Sequence, residues 1–220
     1  MAAGTDVVTV GAGGSPPRLR DLLREKAPAC RAVVSFGIAA GLDPALTPGE
    51  IIIATAVTSG DERWRSDPAI LRHWANRLQK PGTEPTLAEI AGSEMALLTP
   101  EEKGSLRVST GAAAADMESH VAAEFAHARG LPFAAIRVVC DPAERALPSL
   151  VVDAIAPDGR IDVAAILRSL VHQPAQIGAL PRLTRDAARA FAALSRVRAA
   201  LGPGLGLGGL SLGEALGDVL

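Results

Sequence analysis

Residues 116–126 read DMESHVAAEFA, and they set a carboxylate on what reads as the apolar side of a helix. With Asp116 as the cap, Glu118, Val121, Ala122 and Phe125 fall at i, i+3, i+4 and i+7, one stripe that should face a core. An ionised carboxylate taken out of water is costly unless it is paired, protonated or engaged in chemistry. A second carboxyl, Asp141, follows the apolar run FAAIRVVC and precedes Pro142. That puts it at the carboxyl end of a buried strand, the side on which ligands bind in open α/β sheets. Turn or capping chemistry is the alternative for an Asp-Pro pair. Arg137 shares the side-chain parity of Asp141 and is an ion-pair partner for it or for Glu118.

Other motifs carry less. SFGIAAGL at 35–42 places Gly37, Ala39 and Ala40 in what reads as a small-residue turn just past a strand, where backbone amides could hold an anion or a water. Close packing explains the same residues equally well. GAGG at 11–14 falls short of a dinucleotide fingerprint, because the third glycine would stand at 16, where the chain has Pro16. Histidines 73, 120, 127 and 172 lack metal-site spacing, and Cys30 and Cys140 form no CxxC, so no metal is expected. Trp64 and Trp74 are expected to pack a subdomain edge or a subunit interface.

The elements that must position these residues alternate. DVVTV (6–10) reads as a strand, RLRDLLREKAP as a helix, RAVVSFGIAAGL (31–42) and GEIIIATAV (49–57) as buried strands. Residues 58–93 read as loop around a helix near DPAILRHWANRLQ, followed by a helix or turn at TPEEKGSLRVST, the Asp116 helix, and a strand at 132–140. This is an α/β pattern with a mixed, largely parallel sheet flanked by helices. After residue 150, two or three alanine-rich helices broken at Pro174 and Pro181 should cover one sheet face, and the glycine-rich stretch 201–220 reads as a mobile tail. At 220 residues, 48% apolar and 21% charged, the chain fits one domain. A net charge of −2 gives no basic field, which argues against nucleic acid as a partner. The N-terminus lacks a signal-peptide pattern and no apolar run is long enough to span a bilayer, so a reduced, cytoplasmic protein is expected.

ADMESHVAAEFAHARGLPFAAIRVVCDPA (115–143) resembles the nucleoside phosphorylase superfamily, which includes the methylthioadenosine and adenosylhomocysteine nucleosidases. The shared pattern is a Met-Glu pair opening a helix, then a strand ending in an Arg-x-x-Ser-Asp-like motif. FGIAAGLDPALTPGEIIIAT upstream resembles the small-residue turn and following strand of that family. The wording DMESH and CDPAERALP is most similar to the hopanoid-associated branch, thought to cleave adenine from adenosylhopane.

The resemblance implies a nucleoside phosphorylase-like domain over residues 1–200 and a site on Glu118, which would accept hydrogen bonds from ribose hydroxyls. Met117 would pack on the ribose, Leu97 and Leu98 would run along the base, and Asp141 would share a proton with purine N7 as the N-glycosidic bond breaks. It further implies no cofactor beyond inorganic phosphate as a co-substrate, for which Arg63 and Arg65 are the available cations, and a homo-oligomer. The chain departs from the family by lacking its first strand, by Ile38 and Ala40 in the small-residue turn, and by Cys140 where serine is usual. A lipid-linked purine nucleoside would need an apolar entrance, which the segments after 150 could line, or with which they could rest peripherally on a membrane. Plain core helices are the reading for most of their length.

Overall fold

The structure, a computed structural model, describes residues 7–27, 30–147 and 180–210. Its strands are β1 (Val33–Gly41), β2 (Ile51–Ser59), β3 (Glu62–Arg65), β4 (Pro85–Gly92), β5 (Ala114–Asp116) and β6 (Phe133–Asp141). They form one mixed sheet in the order β3-β2-β4-β5-β1-β6, and β2 also pairs with β6, so the sheet closes on itself. The two longest ladders, β1 with β6 and β2 with β4, are parallel, whereas β1–β5, β2–β3 and β2–β6 are antiparallel. Closure is possible because β2 divides its length, pairing with β6 through Ile51–Ile53 and with β3 through Ala56–Ser59.

Three helices open on a Ser, Asp or Thr followed by proline: α1 (Pro16–Lys26), α2 (Pro68–Arg77) and α3 (Pro100–Thr110). Proline's fixed φ suits the first helical turn, where its missing N–H costs nothing. The Asp67 carboxylate accepts from the Ala69 and Ile70 amides at 2.9 and 3.0 Å. Thr99 and Glu102 form a reciprocal capping box, and Gly111 ends α3 in the left-handed conformation at φ 72°. Helix α4 spans Ser119–His127.

Apolar residues alternate along β6. Phe133, Ala135 and Val139 join Leu19 and Leu23 of α1 and Val121, Ala122 and Phe125 of α4 on one face. Ala134, Ile136 and Val138 join Ile70 and Trp74 of α2 on the other. The second face is completed by α5 (Leu180–Leu201), whose Ala190, Ala193, Val197 and Leu201 recur at helical spacing. Among the described residues no helix is long and apolar enough to cross a membrane.

Five expectations are corrected here. Val7–Val10 form no strand, and β3 and β4 occupy part of the stretch read as loop. Gly37, Ala39 and Ala40 lie within β1 rather than in a turn past it. Trp74 is fully buried between α2 and the sheet, which removes it from any interface role, while Trp64 is half-buried against the first core face. Finally, Pro203–Gly209, expected to be mobile, forms a 3-10 stretch. Leu205, Leu207 and Leu210 pack on the second core face, and the Trp74 indole donates to the Leu205 carbonyl at 2.8 Å. Apolar contact thus offsets the conformational freedom that glycine gives up on ordering. The helices expected between 151 and 179, with Pro174, and the tail from 211 lie outside the described residues, whereas Pro181 falls in the first turn of α5.

Candidate active site

Glu118 does not sit on a helical stripe. It is the residue at which α4 begins, with φ −130° and ψ −29°, and its side chain is half-buried. Its Oε1 accepts the Gly14 N–H at 3.0 Å. Gly13 and Gly14 have φ of 63° and 78°, a turn that bulkier residues would strain, so the GAGG stretch presents an amide to this carboxylate. A Cβ on Gly14 would also lie 3.8 Å from the Met117 Sδ, which places Met117 beside the same turn. The glycine-rich turn is therefore part of the site, and its pairing with Glu118 across 104 residues left no signal in local spacing.

Beneath Met117 and Glu118 lies a buried polar cluster. Asp116 ends β5, and its carboxylate accepts from the Ser119 hydroxyl at 2.8 Å and from the Ser119 amide at 3.2 Å, capping α4 from two residues upstream of Glu118. Asp116 pairs with Arg137, whose guanidinium also donates to Ser119 Oγ at 3.1 Å and Ser35 Oγ at 2.5 Å. Arg137 is 1% exposed. Its partner is thus Asp116, neither Glu118 nor Asp141. Gly37 explains how it reaches across: a Cβ there would collide with the guanidinium, so glycine at this point of β1 serves passage of a side chain.

Asp141, at the end of β6, is bound instead by Lys103 of α3. The Lys103 ammonium is fully buried and donates to Asp141 Oδ2 at 2.5 Å and to the Pro142 and Arg145 carbonyls at 2.8 Å each. Burial pushes the Asp141 carboxyl above its ordinary range, while the hydrogen bond and charge of Lys103, and the charge of Arg145, pull it back. Its other oxygen, Oδ1, is buried without a hydrogen-bond partner among the described residues. Beside it, the Cys140 thiol is pushed up to about 11, mainly by burial. Cys140 and Cys30 are both free.

Strand β1 lies between β5, which leads to Glu118, and the end of β6 that carries Asp141. Ala40 is registered with Asp141 on one side and with Ala115 on the other, after a shift in register between Ala39 and Ala40. With strands about 4.8 Å apart, the backbones of Asp141 and Ala115 stand on the order of 10 Å apart across β1. Leu97 packs on Leu42, Ala91, Ala112 and Ala115, next to β5, and Leu98 leads into α3, its amide donating to Glu102 at 2.6 Å. Arg63 and Arg65 lie on β3, where Arg63 pairs with Glu89 of β4 at 2.5 Å and Arg65 is exposed. His120 is buried beside Gly92, whose missing side chain makes room for it, and meets Glu94 at 3.1 Å. Among the described residues no group of three or more His, Cys, Asp or Glu side chains is gathered as a metal site would require.

The comparisons agree with this geometry at the level of fold. Among solved structures, the chain resembles the 5′-methylthioadenosine/S-adenosylhomocysteine nucleosidase of Colwellia psychrerythraea in complex with adenine. The TM-score is 0.57 at 20% identity, covering 64% of this chain and 67% of that one. The corresponding enzyme of Neisseria meningitidis, in complex with methylthio-immucillin-A, matches with a TM-score of 0.53 at 22% identity over 61% of this chain and 66% of that one. That of Campylobacter jejuni matches with 0.52 at 18% identity over 59% and 63%. The chain thus spans about two thirds of the length of these enzymes. No curated protein matches the sequence. The profile of the phosphorylase superfamily matches residues 3–172, more than three quarters of the chain, and the chain belongs to that superfamily.

Proposed function

We propose that this protein cleaves the N-glycosidic bond of a purine nucleoside, releasing adenine from a substrate with a large apolar 5′ substituent. Adenosylhopane is the substrate to which the wording around Glu118 and Asp141 points. The observation that carries the reading is the register of Ala40, which sets Asp141 and Ala115, two residues before Met117, on opposite sides of one strand. Glu118, steadied by the Gly14 amide, accepts hydrogen bonds from the ribose hydroxyls, and Met117 packs against the sugar. Leu97 and Leu98 contact the base, while Gly37, Ala39 and Ala40 supply the small-residue floor between the carboxyls.

As the bond from C1′ to N9 breaks, its electron pair passes to the purine and N7 takes a proton from Asp141. Protonating a leaving base in this way contributes about 10²–10⁴ in rate. An oxygen of phosphate then bonds to C1′, or an oxygen of water does so and releases its proton to solvent. Arg63 and Arg65 are the cations proposed for phosphate, and an apolar 5′ group is the part of the substrate that would bring the protein to a membrane surface. We further propose that the protein works as a homo-oligomer without a cofactor.

The test is adenine release, followed by chromatography, from methylthioadenosine, adenosine and an adenosyl-lipid, each with and without phosphate. Phosphate-dependent release, lost in Asp141→Ala, identifies a phosphorylase, and phosphate-independent release a nucleosidase. Saturable binding without release from any substrate would make the protein a nucleoside-binding module and end the catalytic reading.

A further inference from the structure

A lysine with no exposed surface, in the first turn of a helix whose sequence PEEKGSLR looks solvated, is the least expected side chain among the described residues. Buried ammonium groups are tolerated only when every proton finds an acceptor. Lys103 has three acceptors for its three protons: Asp141 Oδ2, the Pro142 carbonyl and the Arg145 carbonyl. On the other side of the pair, Asp141 Oδ1 has no hydrogen-bond partner among the described residues. Buried polar atoms without partners are rare enough to call for a reason.

We propose that Lys103 is a positioning residue that holds Asp141 by Oδ2 and thereby reserves Oδ1 as the oxygen that carries the proton to the leaving base. The inference rests on the catalytic reading given above. An oxygen that accepts from an ammonium cannot also carry a proton on that side, so when Asp141 is protonated the proton sits on Oδ1. When the C1′–N9 bond breaks, that proton passes from Oδ1 to purine N7, the carboxyl becomes a carboxylate, and Lys103 keeps its three protons. The ammonium is then paired with a charge that exists only after transfer, which is where preorganised charge lowers a barrier.

The ionisable groups around Asp141 among the described residues are few. Lys103 approaches from α3, Arg145 from the segment after β6, and Cys140 precedes it on its own strand; β1, paired through Ala40, brings none. Removing Lys103 leaves burial largely unopposed, so the carboxyl should hold its proton to higher pH.

The experiment measures kcat and KM for adenine release by wild type, Lys103→Met, Lys103→Gln and Lys103→Arg over pH 5–9, with a thermal melt of each variant. The expected result is a fall in kcat of about 10²-fold or more in the neutral variants, with KM little changed. In the same variants the alkaline limb moves to higher pH, and Lys103→Arg restores part of the rate. Adding Lys103→Met to Asp141→Asn should then cost no further activity, since the lysine acts through the aspartate. A lower melting temperature with wild-type kcat and an unmoved alkaline limb would assign Lys103 a structural role only and overturn the proposal. If the neutral variants do not fold, Lys103→Arg decides: a displaced guanidinium should cost rate and shift the limb, and wild-type behaviour in it overturns the proposal. Absence of release by wild type, by contrast, would sink the catalytic reading itself.

Discussion

Arg137 and Asp116 sit on strands that are not neighbours, and their ion pair passes over β1 at Gly37. The pair links β6 to β5 across the strand that carries Ala40, and Asp116 in turn caps the helix that Glu118 begins. A substitution on β1 can therefore disturb the glutamate through this chain of contacts.

Gly37→Ala is the sharpest probe of this arrangement. The new methyl would occupy the path of the guanidinium, and a buried pair that is forced apart typically costs about 3–5 kcal/mol. Urea unfolding should show a loss of that order, and an unchanged midpoint would mean that Arg137 has another route.

Thr99→Ala removes one half of the capping box at the start of α3. The expected loss is about 1 kcal/mol in urea unfolding. Because α3 carries Lys103, adenine release should weaken more than stability does, and wild-type release would show that the lysine is held by its own three acceptors.

The stability of the fold should depend on pH through Asp141. Its carboxyl is raised in the folded state, mainly by burial, so its contribution is fully present below the ordinary value of 3.8. That contribution is lost as pH rises through the raised value. Without Lys103 the loss deepens, so the gap between wild type and Lys103→Met in urea midpoints should be larger at pH 7 than at pH 4. A gap that is equal at both would mean that the pair is not what sets the carboxyl.

Cys140 should be inert. With its thiol pushed up to about 11, almost none is thiolate at pH 8, and iodoacetamide should label it slowly in the native protein and readily in urea. Rapid native labelling, read by mass spectrometry, would contradict the burial that raises it.

How much of this could be read from the chain varied with the range of the interactions involved. Leucines at helical spacing announced α1, DPAILRHWANRLQ announced α2, TPEEKGSLRVST allowed α3 or a turn, and the apolar runs announced β1, β2 and β6, because those signals are local. Strands β3, β4 and β5 escaped, β3 for its charged sequence ERWR, β4 for lying in a polar, proline-dotted stretch and β5 for having only three residues; each is held by hydrogen bonds to a neighbour. Glu118 was singled out for a reason that failed, since it begins α4 rather than lining it, yet its half-buried carboxylate is engaged by a glycine-rich turn whose role spacing could not reveal. Lys103 was invisible for a related cause. Its acceptors lie 38 to 42 residues away, and a lysine among glutamates reads as solvated until the fold closes over it.

The indole of Trp74, clamped to the Leu205 carbonyl by the glycine-rich segment, has an optical consequence. The chain has two tryptophans and no tyrosine, so its fluorescence comes from Trp64 and Trp74 alone. Of these, only Trp74 is wholly shielded from water, which makes it the blue-shifted emitter. A red shift at constant helix content would signal that Pro203–Gly209 had lifted away while the sheet stayed intact, giving the protein a built-in gauge of that one contact.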